Sequence, residues 1–581
     1  MVARQRGVES SATAIRRGIS RRGFLYRAGV VAAGTGPLMG LLAACGGGTS
    51  KAASSNQPFR MGEEVQAFTR NFNPFAPQPR SATHLAMFEP MMIFNSATKK
   101  IVPWLATGYQ WSGDNLALTF KIRDGVRWSD GQKFSADDVA FTFDLMRRNQ
   151  GLLGQASTAW SQYLSAVDSS GGSVKFSFKR PYTPALYDLA QQTIVPRHQW
   201  SGVGNPVTFT NPNPVATGPF TDITRFETQL YQVAKNKSYW QKGKPYIPTI
   251  QYTAYTGNEQ LTRALVSDEI DYGGGYVPNI TKIYVDKDKA HHHFWWPLIL
   301  DIYLVVNTTK APFDQPDVRK AIGAALDRNK MVQTALQGYT KPANATGLAP
   351  YMYQDWIDSS IESQGSWWVS HNVARANQTL DAAGYKRGSN GVRTMPNGAP
   401  MSFQLTVPGP YTDWVSDVEV IASNLKDIGI QANVVTPAVD QWTSNVYSGR
   451  FDMAINIGDF GATPFEFYRG MMSSQTYTPV GQTSTDNVGR YRNAQADQIL
   501  DKWVQTSDES TWKTLCKQLQ QIFVNEAPAI PIYGQPLWGS DNSLHFTGFP
   551  SPGDAYAPLG AASGATQFVT SLIVLTTVKP A

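Results

Sequence analysis

Hydrolysis and group transfer require a nucleophile with its base, a bound metal, or two carboxylates set across a bond, and each requirement leaves a pattern of residue types. Of the seven histidines only His291, His292 and His293 cluster. Adjacent side chains point different ways, so the run cannot present the spaced, same-face ligands of a zinc site and is expected to be a solvated loop. No GxSxG elbow, Walker-type phosphate loop or HExxH helix occurs in the sequence. Of the paired carboxylates, Asp137 with Asp138 is explained by helix capping, and Asp268 with Asp271 is expected at a turn. Two carboxylates brought together only in space could still act on a glycosidic bond, so a glycosidase remains an open alternative.

Those residues must be held by elements, and the local patterns alternate helix and strand. Ser135 to Asp138 starts a helix as a capping box, with Val139, Phe143 and Met146 at helical spacing behind it. Leu116, Leu118, Phe120 and Ile122 alternate as a strand, and the run from Val174 repeats that pattern. Asn258 is expected to cap a short helix through Leu265, after which EIDYGGGYVP runs as a strand into a glycine turn. Pro316 opens a helix carrying Val318, Ile322, Leu326 and Met331, closed near Gly338. Farther on, Trp414 to Ile428 reads as helix, Ile430 to Thr436 as strand, Gln441 to Tyr447 as helix and Phe451 to Ile457 as strand. This alternation predicts an α/β fold with mixed sheets flanked by helices.

Charge is unevenly placed. Residues 1–44 hold seven arginines and one acid, Glu9, which accounts for six of the seven net positive charges. The remainder is balanced and carries no electrostatic footprint for phosphate, so nucleic acid is excluded as a partner. The apolar stretch Ala28 to Leu42, at about fifteen residues, is short for a bilayer span and reads as the core of a signal peptide. Within that leader, Ser20-Arg21-Arg22-Gly23-Phe24-Leu25 resembles the twin-arginine export signal. Leu42-Ala43-Ala44-Cys45-Gly46 looks like the lipobox of bacterial lipoproteins, in which the cysteine sulfur is acylated. The expected leader is thus residues 1–44, followed by lipidated Cys45 and a Gly/Ser/Ala/Lys tether to residue 57, which anchors the protein to the outer face of the cytoplasmic membrane. Cys516 then stands alone, in the helical run TWKTLCKQLQQIF, as a small buried apolar residue with no disulfide partner.

About 525 residues follow the tether without a Pro/Gly/Ser-rich linker, which suggests subdomains crossed by the chain more than once. Three segments, WSDGQKFSADDVAFTFDLM (Trp128 to Met146), NPNPVATGPF (Asn211 to Phe220) and VVNTTKAPFDQPDVRKAIGAALDR (Val305 to Arg328), resemble the extracellular solute-binding proteins of the oligopeptide-binding type. These proteins serve ABC importers, and the resemblance spans nearly the whole mature chain. It implies a two-lobed periplasmic-binding-protein-like clamshell of three subdomains. Residues 58–92, 215–306 and 540–581 would form subdomain I of lobe one, 93–214 subdomain II, and 307–539 lobe two. It also implies a non-enzymatic monomer without cofactor or metal that hands its solute to a membrane permease. Asp138, Arg319 and Asp327 lie in the shared segments and are expected to be structural.

The solute has to be argued from other residues. In peptide binders of this type, the strand like FDMAINIG is followed by Gly-Trp and an acid that pairs with the peptide amine. Here Gly458-Asp459-Phe460 follows, with no Gly-Trp and the acid displaced. NIGDFGATPFEFY, DYGGGYVPNI, GYTKPANATGL and PYTDWVSD instead resemble the branch that binds β-linked oligosaccharides such as cellobiose. A neutral sugar needs aromatic faces and amide or carboxylate groups for its hydroxyls. The chain has 16 Trp, 25 Tyr and 27 Phe, more than a core of this size requires. Candidate ligand contacts are Tyr411, Asp413 and Trp414, then Asn456, Asp459 and Phe460 after a strand end, and Tyr276, Trp295 and Trp296 from lobe one. Trp295 and Trp296 are adjacent, so at most one can face the site, and Trp538 has no assignable direction. An oligosaccharide receptor is the expectation, with an oligopeptide or dipeptide receptor as the alternative and an exported glycoside hydrolase as the reading from a different class.

Overall fold

The computed structural model describes residues 57–77, 79–154, 162–560 and 569–581. The export signal, Cys45 and all but the last residue of the tether lie outside the described residues.

Two sheets carry the architecture. In the seven-stranded sheet the order is His292–Phe294, Ser540–Asn542, Tyr272–Gly273, Phe59–Glu64, Thr249–Tyr255, Leu230–Lys235 and Phe220–Phe226. Phe59–Glu64 runs parallel to both its neighbours, with Met61 opposite Tyr252 on one side and Tyr272 on the other. In the five-stranded sheet the order is Gln431–Val435, Ser402–Thr406, Met453–Ile457, Leu298–Val306 and Ile530–Pro536. Its first three strands are parallel, and Leu298–Val306 runs antiparallel to both its neighbours. That central strand, LILDIYLVV, is buried along almost its whole length, which is why it is apolar on both faces apart from Asp301.

A four-stranded antiparallel sheet, built from Ala106–Trp111, Ala117–Ile122, Ser173–Phe178 and Leu164–Ser170, stands beside them. Its strand Ala117–Ile122 alternates between buried and open positions, as its sequence requires. The helix Ala136–Arg148 lays Phe143 edge-on against Phe176 of this sheet at 4.7 Å between ring centroids.

The chain passes from the seven-stranded to the five-stranded sheet at residues 295–297 and returns at 537–539. The two passages run side by side: Trp295 N–H donates to the Gly539 carbonyl (3.0 Å) and Leu537 N–H to the Pro297 carbonyl (2.8 Å).

Several local expectations are corrected. The helix opened by Pro316 is two, Pro316–Ala325 and Arg328–Thr334, because Leu326 turns to extended backbone with ψ of 123°. Asp327 caps the second, accepting from Lys330 N–H at 2.9 Å. Only Tyr272–Gly273 of EIDYGGGYVP is strand. Asn258 is not a cap: Gly257 occupies the cap position, and the Asn258 amide points elsewhere. The histidine run is no solvated loop. It forms the edge strand His292–Phe294, with His292 buried and bonded to Asp268 at 2.8 Å, His291 to Asp288 at 2.7 Å and His293 to Asp541 at 3.2 Å. Asp271, expected in a turn, is buried and clamped by Arg60. Among the described residues no group of three or more His, Cys, Asp or Glu is placed to hold a metal ion.

Asp138 closes the capping box of its helix and accepts from Arg197 N–H at 3.0 Å. Arg319 is buried and donates to the carbonyls of Phe313, Glu526 and Ala527. Both residues tie backbone segments together.

Candidate functional site

The carboxyl ends of parallel strands leave unpaired backbone groups and flexible loops, and ligands of α/β proteins collect there. In this chain the two parallel blocks point their carboxyl ends at one cavity of about 330 Å³. From the seven-stranded sheet come Gly62 and Glu64 at the end of Phe59–Glu64, Asn258 after Thr249–Tyr255, and Gly274 and Gly275 after Tyr272–Gly273. From the five-stranded sheet come Tyr411, Asp413 and Trp414 after Ser402–Thr406, Trp442 and Tyr447 after Gln431–Val435, and Asn456 and Ile457 at the end of Met453–Ile457. The floor is formed by Leu537 and Trp538 of the returning passage, with Ile299, Leu300 and Gln535 from the strands that adjoin the passages.

Three tryptophans shape this space. Trp414, on the helix Thr412–Asp427, packs edge-on to Tyr411 (5.5 Å) and to Trp442 (5.9 Å) of the helix Val439–Tyr447. Both indoles are more than nine-tenths buried, and the Trp442 indole N–H has no partner. Trp538 stands on the floor, backed edge-on by Trp296 at 4.7 Å and at a tilt by Tyr276 at 5.5 Å.

The polar groups are acidic and amide. Asp413 Oδ1 accepts from the Asn258 amide at 2.9 Å, and the same amide reaches Thr412 at 3.3 Å, so one hydrogen-bonded bridge joins the two walls. Burial raises the Asp413 carboxyl to about 6, against the opposing bond from Asn258. Glu64 is open to the cavity, yet protein surrounds that space deeply enough that desolvation, reinforced by Asp413, raises its carboxyl to about 7. Behind them, Asp417 is held well above the usual carboxylate range by burial, although the Tyr533 hydroxyl donates to it. No Lys, Arg or His lines the cavity among the described residues.

Of the nine residues expected at the site, the structure brings Tyr411, Asp413, Trp414 and Asn456 onto the wall. Tyr276 and Trp296 stand one layer back, as supports of Trp538. Trp295 lies at the passage between sheets, so neither member of the Trp295–Trp296 pair faces the cavity. Asp459 and Phe460 are carried away by the turn after Met453–Ile457, where Gly461 N–H donates to the Tyr353 hydroxyl at 2.8 Å. Phe460 is buried, its carbonyl accepting from Tyr187 at 3.3 Å. Asp459 packs against Gly470, and burial with the nearby Asp486 charge raises its carboxyl to about 8, opposed by Arg469.

Glu64, Asn258, Trp442, Tyr447, Gln535 and Trp538 were not legible as site residues. Asn258 was hidden by its resemblance to a cap. Trp442 sits on an amphipathic helix where a core position has the same spacing. The adjacent Glu63 and Glu64 close an alternating strand, and that alternation sends one inward to Arg80 and Tyr231 and the other toward the cavity.

Two sets of parallel strand ends facing one cavity, with a pair of passages beneath, form a cleft suited to holding a small ligand. Residues 100–479 match the model of the bacterial extracellular solute-binding proteins, family 5 (middle), and the chain belongs to that family. Its members are non-enzymatic receptors of ABC importers. The chain is 25% identical over 473 residues to the glutathione-binding protein GsiB of Salmonella typhi, covering 78% of this chain and 83% of that protein. It is 26% identical over 469 residues to the protein of the same name from Escherichia coli O1:K1 / APEC, covering 77% and 82%. Among solved structures it resembles a mannohexaose-bound periplasmic oligopeptide-binding protein of Thermotoga maritima, with TM-score 0.82, 23% identity, and 90% and 99% of the two chains covered. It also resembles the oligopeptide-binding protein AppA of Bacillus subtilis in complex with a nonapeptide, with TM-score 0.74, 19% identity and coverage of 90% and 99%. The periplasmic-binding-protein-like fold follows from these likenesses, with no branch for cellobiose singled out. Among the described residues no helix is long and apolar enough to cross a membrane.

Proposed function

We propose that this receptor encloses a short peptide or peptide-like solute between two lobes and presents it to the permease of its importer. The observation that carries the reading is the cavity itself: its walls come from both sheets, and its polar equipment is two carboxylates, an amide bridge and exposed strand ends that suit a peptide backbone. The relatives named for glutathione and oligopeptides support the same class. At about 330 Å³ the cavity is at the small end of ligand sites, which span roughly 300–1,000 Å³, so a solute of two or three residues fits best.

The oligosaccharide reading keeps a specific support in Trp414, Trp442 and Trp538, whose faces suit pyranose rings, and in the mannohexaose-bound neighbour. Calorimetric titration with di- and tripeptides and with manno- and cello-oligosaccharides separates the two. Heat with peptides alone supports the first reading, and heat with sugars alone replaces it.

The lobes of this proposal are 58–92, 215–294 and 540–581 with 93–214 on one side, and 298–536 on the other: the strand Leu298–Val306, expected in lobe one, pairs within the five-stranded sheet and goes with lobe two. Support for that division lies in the two side-by-side passages, which leave a hinge of few residues. The proposal places the receptor on the outer face of the cytoplasmic membrane through acylated Cys45. Cys45→Ser is expected to move the protein from the membrane fraction to the medium, and retention in membranes would overturn the anchor.

A further inference from the structure

The amine of a peptide needs a carboxylate, and Asp459, expected at the site after the strand Met453–Ile457, does not line the cavity. Asp459 packs on Gly470 beside Arg469. The carboxylates that do line the cavity are Glu64, from the end of a strand in the seven-stranded sheet, and Asp413, from the first turn of a helix beside the five-stranded sheet. Both line the same cavity, one from each sheet, and the Asp413 charge adds to the burial that raises the Glu64 carboxyl.

The groups around them leave that charge uncompensated. Glu64 meets the Tyr411 hydroxyl and Asp413. Asp413 meets Asn258, Glu64 and the buried Asp417, with the hydroxyls of Tyr276, Tyr411 and Tyr533 nearby. None of these is a cation, and no basic side chain lines the cavity among the described residues. Residues 561–568, which follow the cavity residue Gly560 and lie outside the described residues, contain no Lys, Arg or His in their sequence. Two like charges in a space of restricted dielectric repel, and a cation between them relieves both. The aromatic rings add attraction for a positive group.

We infer that Glu64 and Asp413 form a two-sided clamp for a cationic group, so that the receptor selects solutes bearing a protonated amine or guanidinium and rejects anionic ones. The inference rests on the receptor reading above and sharpens its ligand class: glutathione, with two carboxylates and one amine, fits this cavity worse than a basic dipeptide. Both carboxylates must be ionised to act. With Glu64 raised to about 7 and Asp413 to about 6, cation binding tightens as pH rises from 5.5 to 8.

The test is titration of the purified receptor at pH 5.5 and pH 8 with lysyl-leucine, leucyl-leucine, N-acetyl-leucyl-leucine amide, glutathione, a glucosamine disaccharide and mannobiose. The free-amine peptides are expected to bind at least about tenfold more tightly than the acetylated amide and glutathione at pH 8, with the gap narrowing at pH 5.5. Glu64→Gln should erase most of that preference, and Glu64→Lys should reverse it. Asp413→Asn is the second variant, read by the same pH profile, because it also alters the bond to Asn258. Peptides that bind regardless of charge, or a Glu64→Gln protein with an unchanged profile, would overturn the clamp and leave the peptide reading standing. Binding of the amino sugar with Glu64 dependence, without any peptide binding, would keep the clamp and remove the peptide reading. Binding of mannobiose alone would remove both.

Discussion

At the scale of single residues, the site combines large rings with a few polar atoms, and the rings are expected to dominate affinity because they bury the most area. Truncating Trp414 or Trp442 to alanine should weaken ligand binding by at least about tenfold, read by calorimetry, since buried aromatics of this kind contribute about 2 kcal/mol or more. Trp367→Ala serves as control: that ring lies near the Lys320 and Arg375 side chains on another face, so it should leave affinity unchanged. Cys516 makes a separate prediction. It is fully buried in the helix Glu509–Glu526, and burial pushes its thiol up to about 12, so a thiol reagent should label it only after unfolding. Labelling of the folded receptor at neutral pH would contradict this placement. Its burial was legible from the flanking Leu515 and Leu519. The inward position of Glu64 was not, because a strand's alternation says which residues share a face and is silent on what that face meets.

At the scale of elements, the contact between the two walls is set by a glycine. Gly257, with φ of 158°, caps the helix Asn258–Val266, and a Cβ there would stand 2.6 Å from Pro410 Cβ and 2.8 Å from the Pro410 carbonyl oxygen. Pro410 immediately precedes Tyr411 and lies three residues before Asp413, so a side chain at 257 would hold the helix and the opposite loop apart next to the point where Asn258 bridges to Asp413. Gly257→Ala is therefore expected to lower affinity several-fold, with a larger radius of gyration for the liganded receptor in solution scattering. Gly108→Ala, whose Cβ would meet nothing within 4 Å, should leave both measurements unchanged. The helices themselves were readable from sequence: Thr412–Asp427, Val439–Tyr447 and Asn258–Val266 lie within two residues of their expected positions. What failed was the role of Asn258, because a side chain that can cap locally can also reach 155 positions along the chain, and only packing decides which.

At the scale of the molecule, the chain keeps many carboxyl groups out of water. Burial raises Glu64, Glu89, Asp301 and Glu466 to about 7, Asp413 to about 6 and Asp459 to about 8. The folded state thus holds protons that the unfolded chain has already released, so stability falls as pH rises from about 4.5 through 8 and levels off above that. The ligand-free receptor should melt at a higher temperature at pH 5 than at pH 8 in differential scanning calorimetry; the opposite order would contradict the burial of these groups. Saturating ligand should raise the melting temperature by mass action, and most at pH 8 for a cationic ligand. Far from the cavity, Arg469 on the helix Pro464–Met472 donates to the Tyr182 hydroxyl at 3.1 Å and lies 3.4 Å from buried Asp188, a second tie between distant parts of the chain. Removing Arg469 would strand Asp188 and is expected to destabilise the protein by about 3–5 kcal/mol, measured by denaturant titration.

Local order and class were present in the sequence by itself. The alternation of Ala117–Ile122 and the capping box at Ser135 specify α/β elements, because periodicity and capping are properties of neighbouring residues. The meeting of Glu64, Asn258, Asp413, Trp442 and Trp538 was decided only by tertiary structure. They come from five separated segments, and what joins them is the pairing of parallel strands and the two passages between sheets, contacts that no local pattern encodes. The same long-range packing drew Asp459, Phe460 and Trp295 away from the cavity, since a residue after a strand end goes where its turn is pinned.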